Sequence, residues 1–151
     1  MRLTRQTNYA IRLLMYCAAN NGRLSRVAEI ASAYNVSELF LFKILQPLVE
    51  NGLVETVRGR NGGVKLARPA TEISLFDVVR VTEESFVMAE CFESEIVDCP
   101  LVDSCGINAT LRKALGAFFE VLANYTIADA VKARPNIGAT LGIEELAQIA
   151  H

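Results

Sequence analysis

The sequence predicts a mainly α-helical protein with one small β-hairpin, arranged as a winged helix-turn-helix followed by a C-terminal dimerisation helix. Three observations support this prediction. Two short apolar stretches with capping residues flank a tight turn, and a basic, glycine-rich hairpin follows them. A later stretch at residues 107–124 repeats its apolar residues about every 3.5 positions, which is typical of a helix that packs along a partner.

Charge is divided unevenly along the chain. Residues 1–80 carry eleven Lys or Arg against six Asp or Glu, whereas residues 81–151 carry four against eleven. This pattern indicates a nucleic-acid-binding front half and a regulatory or assembly back half; a chance division of solvated charges is the alternative. The apolar fraction of 52% predicts an apolar partner surface. No apolar run reaches the roughly 20 residues that span a bilayer, so no membrane partner is expected.

Capping residues predict where the helices of the front half begin. Thr7 caps the first helix, Ser25 the second and Ser37 the third, with Asn35 in the turn before the third. Two short helices across such a turn form a helix-turn-helix, in which the later one is the recognition helix. A small helical bundle without DNA contacts is the alternative. The inward face of the third helix consists of Leu41, Ile44, Leu45 and Leu48.

A basic hairpin, called the wing below, follows the third helix. Residues 53–57 and 64–66 are its predicted strands, and R-G-R-N-G-G at residues 58–63 forms its tip. Two guanidinium groups on a narrow projection suit phosphates or a narrow minor groove, which favours DNA binding over a plain solvated hairpin. The tip residues assigned to DNA contact are Arg58, Arg60, Asn61 and Gly62.

The back half begins where a fourth helix, capped by Ser74, runs into acidic residues after Thr82. We divide the chain into a winged-helix domain at 1–82, a cysteine-bearing segment at 83–106, a dimerisation region at 107–134 and a weakly ordered tail at 135–151. The dimerisation region includes a short helix capped by Thr126. Its long helix could instead fold back onto the winged-helix domain of the same chain, residues 1–82, which is called the head below. The residues predicted to meet a second subunit are Leu111, Leu115, Phe118 and Leu122.

Three of the four cysteines, Cys91, Cys99 and Cys105, lie in one short acidic segment with the spacing C-x7-C-x5-C. An iron–sulfur cluster suits three thiolates on a loop, with a 4Fe–4S cluster preferred and a 2Fe–2S cluster as the alternative form. Zinc lacks a convincing fourth ligand because His151 is the only histidine, and a thiol redox switch leaves one cysteine unpaired; both stay open. Cys17 lies on an apolar helix face and is assigned to the core.

An iron held without a thiolate should be the first to leave when iron is scarce, or the first attacked by oxygen or nitric oxide. The three-cysteine set therefore predicts a sensor. Enzymatic activity is not expected, because the chain has no phosphate loop, usable histidine base or conspicuous carboxylate pair. A small iron–sulfur electron-transfer or scaffold protein is the alternative from a different class, but it gives the basic wing no role.

Several motifs together resemble a known family: M-R-L-T at residues 1–4, N-Y-A at 8–10, G-L-V-E-T-V-R-G-R-N-G-G-V-K-L-A-R-P at 52–69, and the three cysteines. This combination is similar to the winged-helix iron–sulfur repressors and covers nearly the whole chain. S-E-L-F-L-F-K-I-L-Q-P-L at 37–48 and the cysteine segment are most similar to the family's rhizobial iron regulators.

The resemblance implies a cytoplasmic homodimer that binds a palindromic double-stranded DNA operator and represses iron-uptake genes while its cluster is intact. It implies that Arg58 enters the minor groove, that the three cysteines hold the cluster, and that the major groove is faced by Ser37, Leu39 and Lys43. A nitric-oxide or redox sensor of the same family is the alternative.

The sequence departs from the family pattern at two positions. The cluster-assembly regulators have a histidine ligand three residues after the last cysteine, where this chain has Asn108. Some nitric-oxide-sensitive members have an aspartate ligand near the N-terminus, where this chain has Asn8. The resemblance therefore names no fourth ligand for the cluster.

Overall fold

A computed structural model of the chain describes residues 2–92, 99–101 and 104–143. It confirms the mainly α-helical class with a two-stranded antiparallel sheet. None of the helices in these ranges is long and apolar enough to cross a bilayer. The helices are α1 (Arg5–Ala19), α2 (Val27–Tyr34), α3 (Glu38–Glu50), α4 (Leu75–Thr82), α5 (Gly106–Ala123), α6 (Ile127–Lys132) and α7 (Ile137–Thr140); the strands are β1 (Val54–Val57) and β2 (Gly63–Leu66).

Helix α1 lies at the centre of the fold because it presents apolar side chains in several directions. It packs against α3, α4, α6, α7 and β2. Its buried apolar residues are Ala10, Leu13, Leu14, Tyr16 and Cys17. Burial, with nearby Glu29 adding to the effect, raises the pKa of Tyr16 to about 12, so that its hydroxyl stays protonated in the core.

A polar network joins the start of α1 to the end of α4. The prediction that Thr7 caps α1 was wrong: Thr4 is the N-cap, and its hydroxyl accepts a hydrogen bond from the Thr7 N–H at 3.2 Å. The Glu83 carboxylate accepts from the Thr4 N–H at 2.7 Å and from the Thr7 hydroxyl at 2.5 Å. The Thr7 hydroxyl also lies 2.8 Å from that of Thr82. Thr7 is therefore a buried link between two helices, which a local capping pattern could not indicate.

Helices α2 and α3 form the predicted helix-turn-helix. Asn35 adopts the left-handed conformation at the turn, with φ 51°, and Ser37 is confirmed as the cap of α3 because its hydroxyl accepts from the Phe40 N–H at 3.2 Å. The predicted inward face of α3 is confirmed as buried, comprising Leu41, Ile44, Leu45 and Leu48. The opposite side of the helix is therefore free to face outward.

The cap predicted for α2 was wrong by one residue. The Ser25 N–H donates to the Val64 carbonyl at 2.9 Å, and the Val64 N–H donates back at 2.8 Å. Arg26 is the N-cap, and its N–H donates to the Glu29 carboxylate at 3.1 Å. Pairing between Ser25 and Val64 holds the wing against the entrance of α2, which links the helix-turn-helix to the hairpin.

The last helices return to the head of the molecule. The Ile127 N–H donates to the Ile73 carbonyl at 2.9 Å, and both side chains are buried. Thr126 forms the predicted cap of α6 in a capping box with Asp129, and hydrogen bonds from Thr126 lower the pKa of the Asp129 carboxyl. Residues 137–143 differ from the predicted loose tail, since α7 packs against α1 and Ile143 is buried. Residues 144–151 of that tail lie outside the described ranges.

Truncating Leu41 to Ala should lower the free energy of unfolding by about 2–5 kcal/mol, because its side chain is 0% exposed in the core. Leu39→Ala, on the same helix and 70% exposed, should change it by no more than about 0.5 kcal/mol. Urea unfolding followed by circular dichroism measures both values. Equal losses in the two variants would contradict the assignment of the α3 faces.

Candidate nucleic-acid interface and metal centre

The recognition helix α3 presents an exposed face that mixes apolar and polar side chains. The predicted contact residues Ser37, Leu39 and Lys43 are all exposed along its first half. Phe42, which the sequence did not assign to this face, lies beside them and is 53% exposed. The sequence carried a signal for Phe42, because Phe40 and Phe42 are two residues apart on a helix and cannot share a buried face. Phe40 is the partly buried member of the pair.

The wing holds its arginines at an exposed tip. Antiparallel pairing of β1 with β2 is supported by an ion pair of 2.6 Å between Lys65 and Glu55 in the stem. Arg58 and Arg60 are exposed at the tip and form no ion pair with another described residue. Gly59 has φ 110°, and a Cβ at Gly62 would overlap the Val57 carbonyl oxygen, so the glycines are required by the turn. The tip therefore carries charge that is available to an external anion.

Recognition helix and wing face a common groove of about 670 Å³. Phe42, Gln46 and Val49 line it from α3, while Arg58 and Gly62 line it from the wing. The groove is mainly apolar, and Arg26 and Arg58 are among its lining residues. This arrangement places the two elements where both can contact one bound polymer, rather than on opposite sides of the head.

A second basic and aromatic surface, on α1, was missed in the sequence. The Arg5 guanidinium lies over the Phe40 ring, 4.9 Å from its centroid, and Arg12 lies 4.8 Å from the ring centroid of Tyr9. Both arginines are exposed and without an ion pair among the described residues. The excess of positive charge in residues 1–80 indicated cations but not their position beside the first turn of α3.

Cys17 is a core residue, as predicted. It is buried in α1, and burial raises the pKa of its thiol to about 12. Its Sγ lies 3.9 Å from the Val64 carbonyl oxygen, to which the thiol can donate only weakly. A protonated, enclosed thiol does not bind metal, so Cys17 lies outside the candidate metal centre.

The other three cysteines are free, half-buried thiols. Two of them meet at Asn108: its Nδ2 donates to the Cys91 Sγ at 2.9 Å, and its backbone N–H lies 3.5 Å from the Cys105 Sγ. Cys91 belongs to a short 3₁₀ turn, and Cys105 is the N-cap of α5. The start of α5 therefore brings together the first and last cysteines of the predicted set.

Cys99 is not brought into the same group. Within residues 2–92, 99–101 and 104–143, no cluster of three or more Cys, His, Asp or Glu side chains could hold a metal ion. Residues 93–98 and 102–103 of the predicted segment, on both sides of Cys99, lie outside the described part. The thiols nevertheless suit an iron–sulfur cluster by their chemistry, because all three are unpaired and partly exposed sulfur donors.

Helix α5 contacts its own head through Phe119, which the predicted seam did not include. The Phe119 ring packs edge-on against Phe76 at 5.2 Å and Phe86 at 4.8 Å between centroids. The four predicted seam residues, Leu111, Leu115, Phe118 and Leu122, are only partly buried. Ile107 is 71% exposed and Val121 is 69% exposed. Helix α5 therefore packs against the head through the face that carries Phe119. The apolar face that carries Ile107 and Val121, next to the predicted seam, is exposed.

The chain matches a known protein family and is similar to several known proteins. A family model described as Rrf2, iron-dependent transcriptional regulator, matches residues 3–133. Protein aau3 of Rhizobium meliloti (strain 1021) is 75% identical over 145 residues, which are 96% of this chain and 94% of that protein. The HTH-type transcriptional regulator NsrR of Oceanobacillus iheyensis is 39% identical over 147 residues, covering 97% of this chain and 100% of that protein.

Among solved structures, IscR of T. potens is similar to this chain with a TM-score of 0.69 and 26% sequence identity. The superposition covers 88% of each chain. The winged helix, the cysteine segment and α5 all fall within residues 3–133 that the family model matches. The relationship therefore extends over both the DNA-binding head and the cysteine region.

Proposed function

The chain belongs to the Rrf2 family of transcriptional regulators, and on that premise we propose that it is a cytoplasmic, iron-responsive repressor of iron-uptake genes. It binds a palindromic operator as a homodimer and holds an iron–sulfur cluster through Cys91, Cys99 and Cys105. One observation carries this proposal: two of the three thiols meet at the start of α5, the helix that leaves the DNA-binding head.

DNA contact is assigned to the groove between α3 and the wing. Ser37, Leu39 and Lys43 face the major groove, and Arg58 enters the minor groove, with Arg60, Asn61 and Gly62 forming the remainder of the tip. The position of Arg58 in the groove that Phe42 and Gln46 also line supports this assignment. Guanidinium groups that form no ion pair with another described residue are available for phosphates, so the electrostatic part of the affinity should come from them.

A bound cluster would be a group whose stability depends on the iron supply and on oxidants. The three thiols hold it, and a 4Fe–4S form is preferred over 2Fe–2S. The acidic segment that carries the cysteines connects α4 to α5, so a change in the arrangement of these thiols alters the position of α5 against the head. Nitric oxide is the competing signal in this family, and the half-exposed thiols leave the site accessible to it.

The dimer is assigned to the open apolar face of α5. Leu111, Leu115, Phe118 and Leu122 form its seam, and Val121 extends it because side chains three or four positions apart on a helix are neighbours. Exposure of 69% at Val121 leaves an apolar surface that a second copy of the chain would cover.

Arg58→Ala should weaken binding to a duplex selected by the wild-type protein from a random-sequence library. Loss of one guanidinium charge from the DNA surface should reduce the slope of log K against log salt concentration by about 1. Arg134→Ala, which removes an exposed arginine near α6, is the matched control and should leave the slope unchanged. Fluorescence anisotropy at several salt concentrations gives both slopes. A slope identical to wild type in Arg58→Ala would exclude this contact.

Cys99→Ser should abolish the visible absorbance and most of the iron and sulfide in protein purified without oxygen, because a hydroxyl is a poor replacement for a cluster thiolate. Cys17→Ala is the control, since its buried thiol is outside the proposed site, and it should retain wild-type iron content. In the wild-type and control proteins, adding an iron chelator should cause the protein to dissociate from the selected duplex. Full cluster content in Cys99→Ser, or chelator-insensitive binding in wild type, would contradict the sensor assignment.

Val121→Glu should shift the protein from dimer to monomer, because it buries a carboxylate in the proposed apolar interface. Ala123→Glu places the same charge two residues away, on a different exposed face of α5, and should leave the dimer intact. Sedimentation velocity at matched concentrations distinguishes the two. A dimeric Val121→Glu variant would mean that this face of α5 is not the subunit interface.

A further inference from the structure

The orientation of the Asn108 amide is determined by its neighbour on the helix. The Arg112 Nε donates to the Asn108 Oδ1 at 2.8 Å, one turn along α5. A guanidinium N–H can only donate, so the amide atom that faces it has to be the oxygen. The amide nitrogen therefore points the other way, at the Cys91 Sγ, 2.9 Å distant.

Arg112 is itself held in place by the cysteine segment. Its guanidinium lies over the ring of Phe92, 4.4 Å from the centroid, and Phe92 directly follows Cys91. The contacts form a closed circuit from Cys91 through Asn108 and Arg112 to Phe92 and back along the chain. Such a circuit restricts both the amide and the turn that carries the first cysteine.

Asn108 also serves the last cysteine. Its backbone N–H is directed at the Cys105 Sγ at 3.5 Å, within the usual range for a hydrogen bond to sulfur. One residue thus directs a side-chain donor and a backbone donor at two different sulfurs. Its side-chain oxygen, Oδ1, accepts the hydrogen bond from Arg112 and faces away from the Cys91 sulfur.

We propose that Asn108 is a positioning residue that donates hydrogen bonds to two cluster thiolates, with Arg112 fixing its orientation, and that it is not the fourth iron ligand. The inference rests on the proposed function, since it concerns the same three cysteines. Hydrogen bonds to cluster sulfurs are among the factors that set the reduction potential of an iron–sulfur cluster. Donors at two of the sulfurs withdraw electron density and make the cluster easier to reduce.

The test uses full-length protein purified without oxygen and measures the midpoint potential of the cluster by redox titration. Asn108→Ala should make the potential more negative with unchanged iron content, because it removes the donor to Cys91. Arg112→Met should shift it in the same direction by less, since Arg112 donates to neither sulfur and acts by orienting the amide. Lys113→Met removes one positive charge from the next position of α5 and is the matched control, with no shift beyond its overall charge effect.

The double variant Asn108→Ala/Arg112→Met tests the connection between the two residues. If Arg112 acts through Asn108, the double variant should differ from Asn108→Ala alone by no more than the charge effect measured in Lys113→Met, and a larger added shift would overturn the proposed circuit. Helical circular dichroism identifies any variant that fails to fold. Arg112→Met removes no donor to sulfur itself, so it keeps the test informative if Asn108→Ala does not fold.

Asn108→Asp distinguishes a hydrogen-bond donor from a ligand. A donor role predicts a more negative potential, since an acceptor oxygen then faces the Cys91 sulfur. A ligand role predicts slower loss of iron to a chelator, together with loss of one iron in Asn108→Ala, and either result would overturn the proposal. Absence of a cluster in the wild-type protein would instead refute the proposed function, so the two failures are separable.

Discussion

The hydrogen bonds accepted by Glu83 connect the DNA-binding head to the region that carries the cysteines. Its carboxylate receives the Thr4 N–H and the Thr7 hydroxyl, and the Thr7 hydroxyl also meets that of Thr82. A partly buried carboxylate is stable only when such donors replace its lost water, so the end of α4 is held to the start of α1. The segment that leads to Cys91 therefore starts from a fixed point on the head.

The far end of that segment is also attached to the head. Cys105 caps α5, and Phe119 of the same helix packs against Phe76 of α4 and against Phe86. Under the proposed function, any rearrangement among the thiols is confined between these two attachments. It is therefore transmitted to the orientation of α5, and through α5 to the position of a second head, without a change in the packing around α1.

Local patterns predicted the parts of the fold that depend on neighbours in sequence. The Ser37 and Thr126 caps depend on residues three positions apart, and the wing pairs residues no more than twelve positions apart; each of these predictions was confirmed. Features that depend on distant partners were missed. Ser25 pairs with the backbone of Val64 instead of capping α2, and Phe119 finds its aromatic partners on α4 and in the segment after it.

The residues of the candidate site also divide into those indicated by local sequence and those that depend on distant contacts. Sequence spacing identified the three cysteines and the arginines of the wing, because residue type alone indicates their chemistry. It could not indicate that Arg5 rests on Phe40, or that Asn108 turns its nitrogen toward Cys91, because those orientations are decided by contacts between separate elements.

The distribution of buried residues limits how a signal can travel through this molecule. Among the described residues, none between Thr82 and Ile127 is fully buried, although this stretch includes the 18 residues of α5. Helices in water depend mainly on packing of an apolar face, so a helix of this kind is incompletely stabilised within one protomer. The core around α1 includes none of the described residues of the cysteine segment, so a change at the described thiols would not remove one of its contacts. Under the proposed function, the regulator would therefore respond by changing how the two heads of a dimer are arranged, and not by unfolding the head that binds DNA.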